Sequence, residues 1–271
     1  MTVRTAYVAF QSRADAPLTI AGEFSIPQAG SVDAAEAHRL PAVVICHGSD
    51  GVDGRGRFYA DALTAAGIAT LEIDMWSARG SKRGAEARPR SVPQTLPDAF
   101  AALSFLARQP EIDPARIAIM GFSWGGVVTL LSATRRYAEA LAEPGHGFVA
   151  HAAFYPALWS YNKAPGHEFR ELTGAPVLIQ AGAEDAYDDK EVCEGFLQSL
   201  DPQTRAPIRM IIHPGATHAF DRDLPAKVIH DPYAHKGAGG PVLFEHNPTA
   251  SAAAREAVVA FFGEAFDRAP S

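Results

Sequence analysis

The chain has 271 residues, 47% of them hydrophobic and 20% charged, with a formal net charge of −7. That apolar share is enough for a packed core and excludes disorder as the main state. The acidic balance excludes a nucleic-acid binder that works by neutralising phosphates.

The one basic cluster, Arg79 to Arg90, is interrupted by Glu86 and Pro89 and reads as a solvated loop. No apolar run reaches the roughly 18 residues of a membrane span. The start, MTVRTAYVAFQ, lacks the basic-then-apolar pattern of a signal peptide, so a cytoplasmic location is expected. Cys46 and Cys193 follow no CxxC spacing, which suggests neither a disulfide framework nor a thiolate metal site.

In chain order, Ala6 to Phe10 and Leu18 to Ile26 read as a leading β-hairpin. Pro41 to Cys46 is a short apolar strand ending in His47-Gly48. Phe58 to Ala66 has helical periodicity and stops at Gly67, a residue suited to a left-handed helix end. Ile68 to Ile73 is a strand, and Asp98 to Arg108 a helix with Pro97 near its first turn. Arg116 to Met120 is a strand, followed by a helix from Trp124 to about Arg135. Phe148 to Tyr155, Ala175 to Ala181 and Pro207 to Ile212 are further strands, with a helix over Asp189 to Leu200. A final helix spans Pro248 to Phe266. Short apolar strands alternating with helices predict an α/β fold, residues 1–271 forming one domain around a mostly parallel sheet of about eight strands with helices on both faces. Arg222 to Asn247 breaks the pattern and reads as an extended Gly- and Pro-rich loop, either over a site or packed on the last helix.

The chemistry concentrates in Ile117-Ala118-Ile119-Met120-Gly121-Phe122-Ser123-Trp124-Gly125-Gly126, a Gly-x-Ser-x-Gly pattern between strand and helix. A nucleophile on so tight a turn needs small neighbours, because any side chain there would clash. The turn exposes Ser123 and aims the Trp124 amide at a developing oxyanion. A serine needs a base. His218, in the loop after the last strand, is the candidate, and His213 at the strand end reads as structural. The acid belongs between serine and histidine in this chain order, which singles out Asp185 after the strand ending Ala181-Gly182. Glu184, Asp188 and Asp189 are its rivals, and Asp189 suits a helix N-cap. The loop His47-Gly48-Ser49-Asp50-Gly51 offers the Ser49 amide as a second oxyanion donor. A metal reading, with His213, His218, Asp221 and Asp223 as ligands, has no standard zinc spacing, and no cofactor is expected.

Three stretches together resemble the dienelactone hydrolase family of α/β-hydrolases: Ile112 to Gly126, Gly182-Ala183-Glu184-Asp185, and Pro214-Gly215-Ala216-Thr217-His218-Ala219-Phe220. The resemblance implies one α/β-hydrolase domain, a nucleophile–His–Asp triad and no cofactor. Two departures stand out. The namesake enzyme has a cysteine where Ser123 stands, and a glutamate near Gly48 that helps switch the thiol on. Losing both together is self-consistent, since a serine is activated by its histidine. Arg79 and Arg222 are similar in position to two family arginines that bind a substrate carboxylate. The residues alone also allow both to be loop arginines paired with Asp74, Asp221 or Asp223. Trp76, Trp124, Phe154, Tyr155 and Trp159 are candidate pocket walls.

These residues predict a serine hydrolase, monomeric or homodimeric, that cleaves a small ester or lactone, anionic in one reading of the arginines. An amide-cleaving peptidase and a catalytically silent scaffold on the same fold are the alternatives.

Overall fold

The computed structural model describes residues 2–28, 39–80 and 88–269. Eight strands build the central sheet: β1 (Thr2–Gln11), β2 (Thr19–Gln28), β3 (Leu40–Cys46), β4 (Ala69–Asp74), β5 (Ile112–Phe122), β6 (His151–Phe154), β7 (Val177–Gly182) and β8 (Ile208–His213). Their order across the sheet is β1-β2-β4-β3-β5-β6-β7-β8. β1 pairs antiparallel with β2, and β2 with β4; every later pairing is parallel. This is the mostly parallel sheet that the alternating pattern predicts, in the α/β-hydrolase arrangement that the resemblance implies.

The parallel strands are apolar throughout because both their faces are covered. Along β3, Ala42, Val44 and Cys46 enter one core and Val43 and Ile45 the other. Helix α1 (Gly54–Ala65) and the long C-terminal helix form the second core, with Tyr59, Leu63, Val258 and Phe262 buried there. Helices α2 (Leu96–Ala107) and α3 (Trp124–Ser132) form the first, contributing Phe100, Leu103 and Leu131.

Several boundaries differ from the periodicity, each for a local reason. α1 starts at Gly54 because the Asp53 carboxylate caps it, accepting from the Arg55 amide. α3 stops at Ser132, because Thr134 takes an extended conformation before a separate α4 (Arg135–Leu141). β6 ends at Phe154, because Tyr155 has a positive φ of 39°. α5 (Lys190–Ser199) is capped by Asp189, whose carboxylate accepts from the Val192 amide at 2.8 Å. One turn of helix, α6 (Pro202–Arg205), precedes β8.

The largest correction concerns Arg222 to Asn247, which is not a plain loop. It folds into β9 (Lys227–Asp231), a single turn α7 (Ala234–Gly237) and β10 (Gly240–Phe244), with Val228 opposite Leu243 in an antiparallel pair. Gly237, Gly239 and Gly240 all have positive φ and turn the chain between the strands. Asn247 then caps α8 (Pro248–Arg268) through the Ala250 amide. Among the described residues no helix is long and apolar enough to cross a membrane.

One buried group works against the fold. Glu72 on β4 stands opposite Glu23 of β2, and its Oε1 is buried with no hydrogen-bond partner. Burial, then the charges of Asp53 and Glu23, push its carboxyl from the ordinary 4.5 up to about 8. Between those values the folded chain holds a proton that the unfolded chain has lost. Stability is therefore lost as pH rises through that window. Glu72→Gln is expected to flatten the fall and to stabilise the protein by about 1–3 kcal/mol at pH 9; urea melts of both proteins at pH 5 and pH 9 check this.

Candidate active site

β5 delivers the chain to Ser123, which adopts φ 51° and ψ −108° before α3 begins at Trp124. A left-handed φ in a residue with a Cβ is strained. The surroundings hold it: the Ser123 amide donates to the Phe154 carbonyl, and its carbonyl accepts from the Val127 amide, both at 2.9 Å. The flanking glycines are a steric requirement. A Cβ on Gly125 would stand 2.1 Å from the Cys46 carbonyl oxygen, and one on Gly121 would stand 2.3 Å from that of Gly125.

His218 reaches over the strand tips to this serine. Its Nε2 lies 2.9 Å from Ser123 Oγ, and its Nδ1 lies 2.7 Å from Asp185 Oδ2. A carboxylate only accepts, so Nδ1 carries the proton and Nε2 presents a lone pair to the hydroxyl. Asp185 is buried, and its other oxygen accepts from the amides of Tyr187 at 2.7 Å and Asp188 at 3.4 Å. Three aromatic rings enclose the imidazole: Tyr187, Tyr155 and Phe244, at centroid distances of 4.4, 4.8 and 5.7 Å.

The rival acids and base have other partners. Asp188 turns away to cap the turn after β6, accepting from the amides of Leu158 and Trp159 at 2.6 and 3.2 Å. Burial and the neighbouring Asp185 charge raise its carboxyl above the ordinary range. Glu184 is exposed. His213 Nε2 pairs with the Gln180 side-chain oxygen at 2.8 Å. Among the described residues, no group of three or more His, Cys, Asp or Glu is placed to hold a metal ion.

Beside the serine, Gly48 to Gly51 make a tight turn closed by the Gly51 amide on the Gly48 carbonyl at 3.0 Å. The Trp76 indole N–H donates to the Ser49 carbonyl at 3.0 Å and so orients the turn. His47 fixes its base: Nδ1–H donates to the Gly48 carbonyl, while Nε2 accepts from the Met75 amide. Burial lowers the His47 pKa to about 4, which keeps this neutral tautomer. Trp124, the first residue of α3, has an amide with no acceptor inside its helix. Its ring meets Trp76 edge-on at 5.4 Å, and its indole N–H bonds Thr95 Oγ1.

The dienelactone hydrolase family model matches residues 29–266, nearly the whole chain. The chain belongs to the dienelactone hydrolase family. Membership makes it a carboxylic ester hydrolase. It is 30% identical over 204 residues to an uncharacterised protein of Mycobacterium tuberculosis, spanning 70% of this chain and 67% of the relative. It is 25% identical over 189 residues to a probable 2-oxo-3-(5-oxofuran-2-ylidene)propanoate lactonase of Bradyrhizobium sp., spanning 67% of this chain and 74% of the relative. Among solved structures, a dienelactone hydrolase-like promiscuous phosphotriesterase from metagenomic libraries superposes with a TM-score of 0.63 at 22% identity, covering 96% of this chain and 98% of that one. A dienelactone hydrolase of Anabaena variabilis gives 0.58 at 19% identity, covering 96% and 98%. At these identities the two structures speak to the fold.

Within this dienelactone hydrolase-like site, the two arginines expected to grip a substrate carboxylate are engaged elsewhere. Arg79 forks onto the buried Asp98 at 2.7 and 3.2 Å. The same two nitrogens also donate to the carbonyls of Met75 and Gln94. Both terminal nitrogens of the fork are thereby committed within the protein. Arg222 donates to Asp50 at 2.7 Å and lies 3.3 Å from Asp53. Trp159 is a further correction. Its ring packs under Gly237 and lines a groove with Tyr161, Val192 and Phe196, away from Ser123. Trp76 does stand at the site, under the turn.

Arg88, from the cluster that reads as a solvated loop, is the cation the sequence reading passes over. It donates to Ser49 Oγ at 3.3 Å, lies 6.0 Å over the Tyr233 ring and acts on the Tyr187 phenol through its charge. Tertiary folding, and no local motif, brings it beside the Ser49 turn.

Arg79→Met strands the buried Asp98 carboxylate. It is expected to cost about 3 kcal/mol of stability and to leave KM for a carboxylate-bearing ester unchanged at a temperature where the variant is folded. Urea melts and paired KM measurements check both halves.

Proposed function

We propose that this chain is a serine esterase acting on small carboxylic esters or lactones through Ser123, His218 and Asp185. The observation that carries the reading is the unbroken line Ser123 Oγ–His218–Asp185, with spacings of 2.9 and 2.7 Å. Distances of this size allow proton transfer without rearrangement. Ser123 Oγ attacks the carbonyl carbon as its proton passes to His218 Nε2. The buried Asp185 holds the ring and stabilises the imidazolium. The amides of Ser49 and Trp124 take the charge on the carbonyl oxygen. His218 then gives its proton to the leaving alcohol oxygen as the carbon–oxygen bond breaks. Water, deprotonated by His218, attacks the acyl-enzyme; the acid leaves and Ser123 regains its proton.

The similarity to a lactonase supports lactones as one substrate form.

Ser123→Ala is expected to cut hydrolysis of short aryl esters by about a thousandfold or more and to abolish fluorophosphonate labelling. A folded wild type that neither turns over these esters nor takes the label would overturn the reading and favour a silent binding protein.

A further inference from the structure

Beneath the site runs a buried chain of hydrogen bonds that the mechanism above does not use. Asp53 accepts from Arg55 Nε at 2.9 Å and from Nη2 at 2.6 Å. Arg55 Nη1 donates to the Tyr155 hydroxyl at 3.1 Å. That hydroxyl donates to Asp221 Oδ1 at 2.6 Å, and Tyr59 donates to Oδ2 at 2.8 Å. Arg55, Tyr155 and Asp221 are each at most 4% exposed.

The ends of this chain matter. Asp53 follows the Gly48–Gly51 turn directly, and the Arg55 guanidinium lies under Gly48, where a Cβ would come within 3.1 Å of Nη2. Asp221 is three residues past His218 in the same loop. Tyr155 sits between them with its ring edge-on to His218. Tyr155 and Ala219 both hold left-handed backbones, φ 39° and 56°, that a residue with a Cβ leaves unless its surroundings forbid it. Outside, Arg222 ties the same two segments again, from the histidine loop to Asp50 and Asp53.

Simple stability is a poor account of such a chain. Burying an arginine between two carboxylates costs desolvation that an apolar core would avoid. What the charges add is direction, since each bond fixes one segment relative to the next.

We propose that Asp53–Arg55–Tyr155–Asp221 is a positioning unit that clamps the Ser49 turn to the histidine loop, so that the oxyanion donor and His218 Nε2 keep one spacing about Ser123. This rests on the serine-esterase reading and deepens it. The residues do not touch the reacting atoms; they act through Ser49 and His218.

Tyr155→Phe tests it, since it deletes one hydroxyl and keeps the ring against His218. Tyr59→Phe is the comparison: it removes a hydroxyl from the same carboxylate, one helical turn beyond Arg55, and leaves the Arg55–Tyr155–Asp221 path intact. The clamp predicts that Tyr155→Phe lowers kcat and the fluorophosphonate labelling rate together by about tenfold or more, as small misplacements do. KM should stay near wild type, and Tyr59→Phe should lose clearly less kcat for a similar drop in Tm. If Tyr155→Phe lowers only Tm, or if both variants lose equal activity at 25 °C, the unit is structural and the proposal falls. A wild type indifferent to the label, or labelled equally as Ser123→Ala, would overturn the serine reading and the clamp with it. Normal wild-type labelling separates the first failure from the second.

Discussion

The close approach of α3 to the end of β3 is the constraint on which the site depends. Gly125 lies against the carbonyl of Cys46, so tightly that a methyl group would overlap it. Because β3 and β5 are hydrogen-bonded neighbours, this contact sets where the serine turn stands relative to the Gly48–Gly51 turn. Ser123 keeps its strained dihedrals because the Phe154 carbonyl of β6 grips its amide from the other side. Three adjacent strands thus fix Ser123, and the sheet is rigid there because its residues are buried on both faces. The loops need only bring the histidine and the acid to a point already determined.

The distribution of cations follows from the same economy. Asp98 is wholly buried, and Arg79 is what makes its charge tolerable there. Burial still lifts the Asp98 carboxyl to about 6, against the pull of Arg79. A guanidinium committed in this way cannot also hold a substrate without stranding its partner. Arg222 sits at the rim with two carboxylates in reach. The resemblance implies a carboxylate-binding part for both arginines, and here Asp98 and Asp50 occupy them. Position in a motif and chemical availability are separate properties, and only the second comes from the folded surroundings.

What the sequence reveals divides along that line. Ser123 is legible because its turn is a local pattern: apolar strand, glycine-flanked serine, apolar helix. Asp185 and His218 are legible because strand ends and chain order restrict the choices to a few residues. Arg79 and Arg222 are not, because their partners lie 19 and 172 residues away and are chosen by packing. Tyr155 shows the same limit. As a residue type it reads as a pocket wall. Its hydroxyl finds Arg55, 100 positions earlier, and Asp221, 66 positions later, only when β6 ends where it does. The hairpin at Lys227–Phe244 hid for another reason: strands of five residues on either side of a glycine-rich turn look like loop unless their alternation is weighed.

That alternation gives the hairpin its place at the site. In the β9–β10 pair, Val228 and Leu243 face one side and remain 65% and 40% exposed. The neighbouring positions face the other side, where Val242 is buried, Phe244 meets the His218 ring and Asp231 bonds the Tyr187 phenol. The turn of the hairpin adds a main-chain bond, from the His235 amide to the Ala186 carbonyl at 2.7 Å. Ala186 and Tyr187 immediately follow Asp185. The hairpin therefore braces the Asp185 loop from outside while its inner face closes over the imidazole. A wall built from a paired ribbon has its backbone hydrogen bonds satisfied before any substrate arrives. A bare loop would have to be ordered on binding, at a cost in conformational entropy. The ribbon likewise holds its side chains in place, among them Tyr233, which lies beneath Arg88.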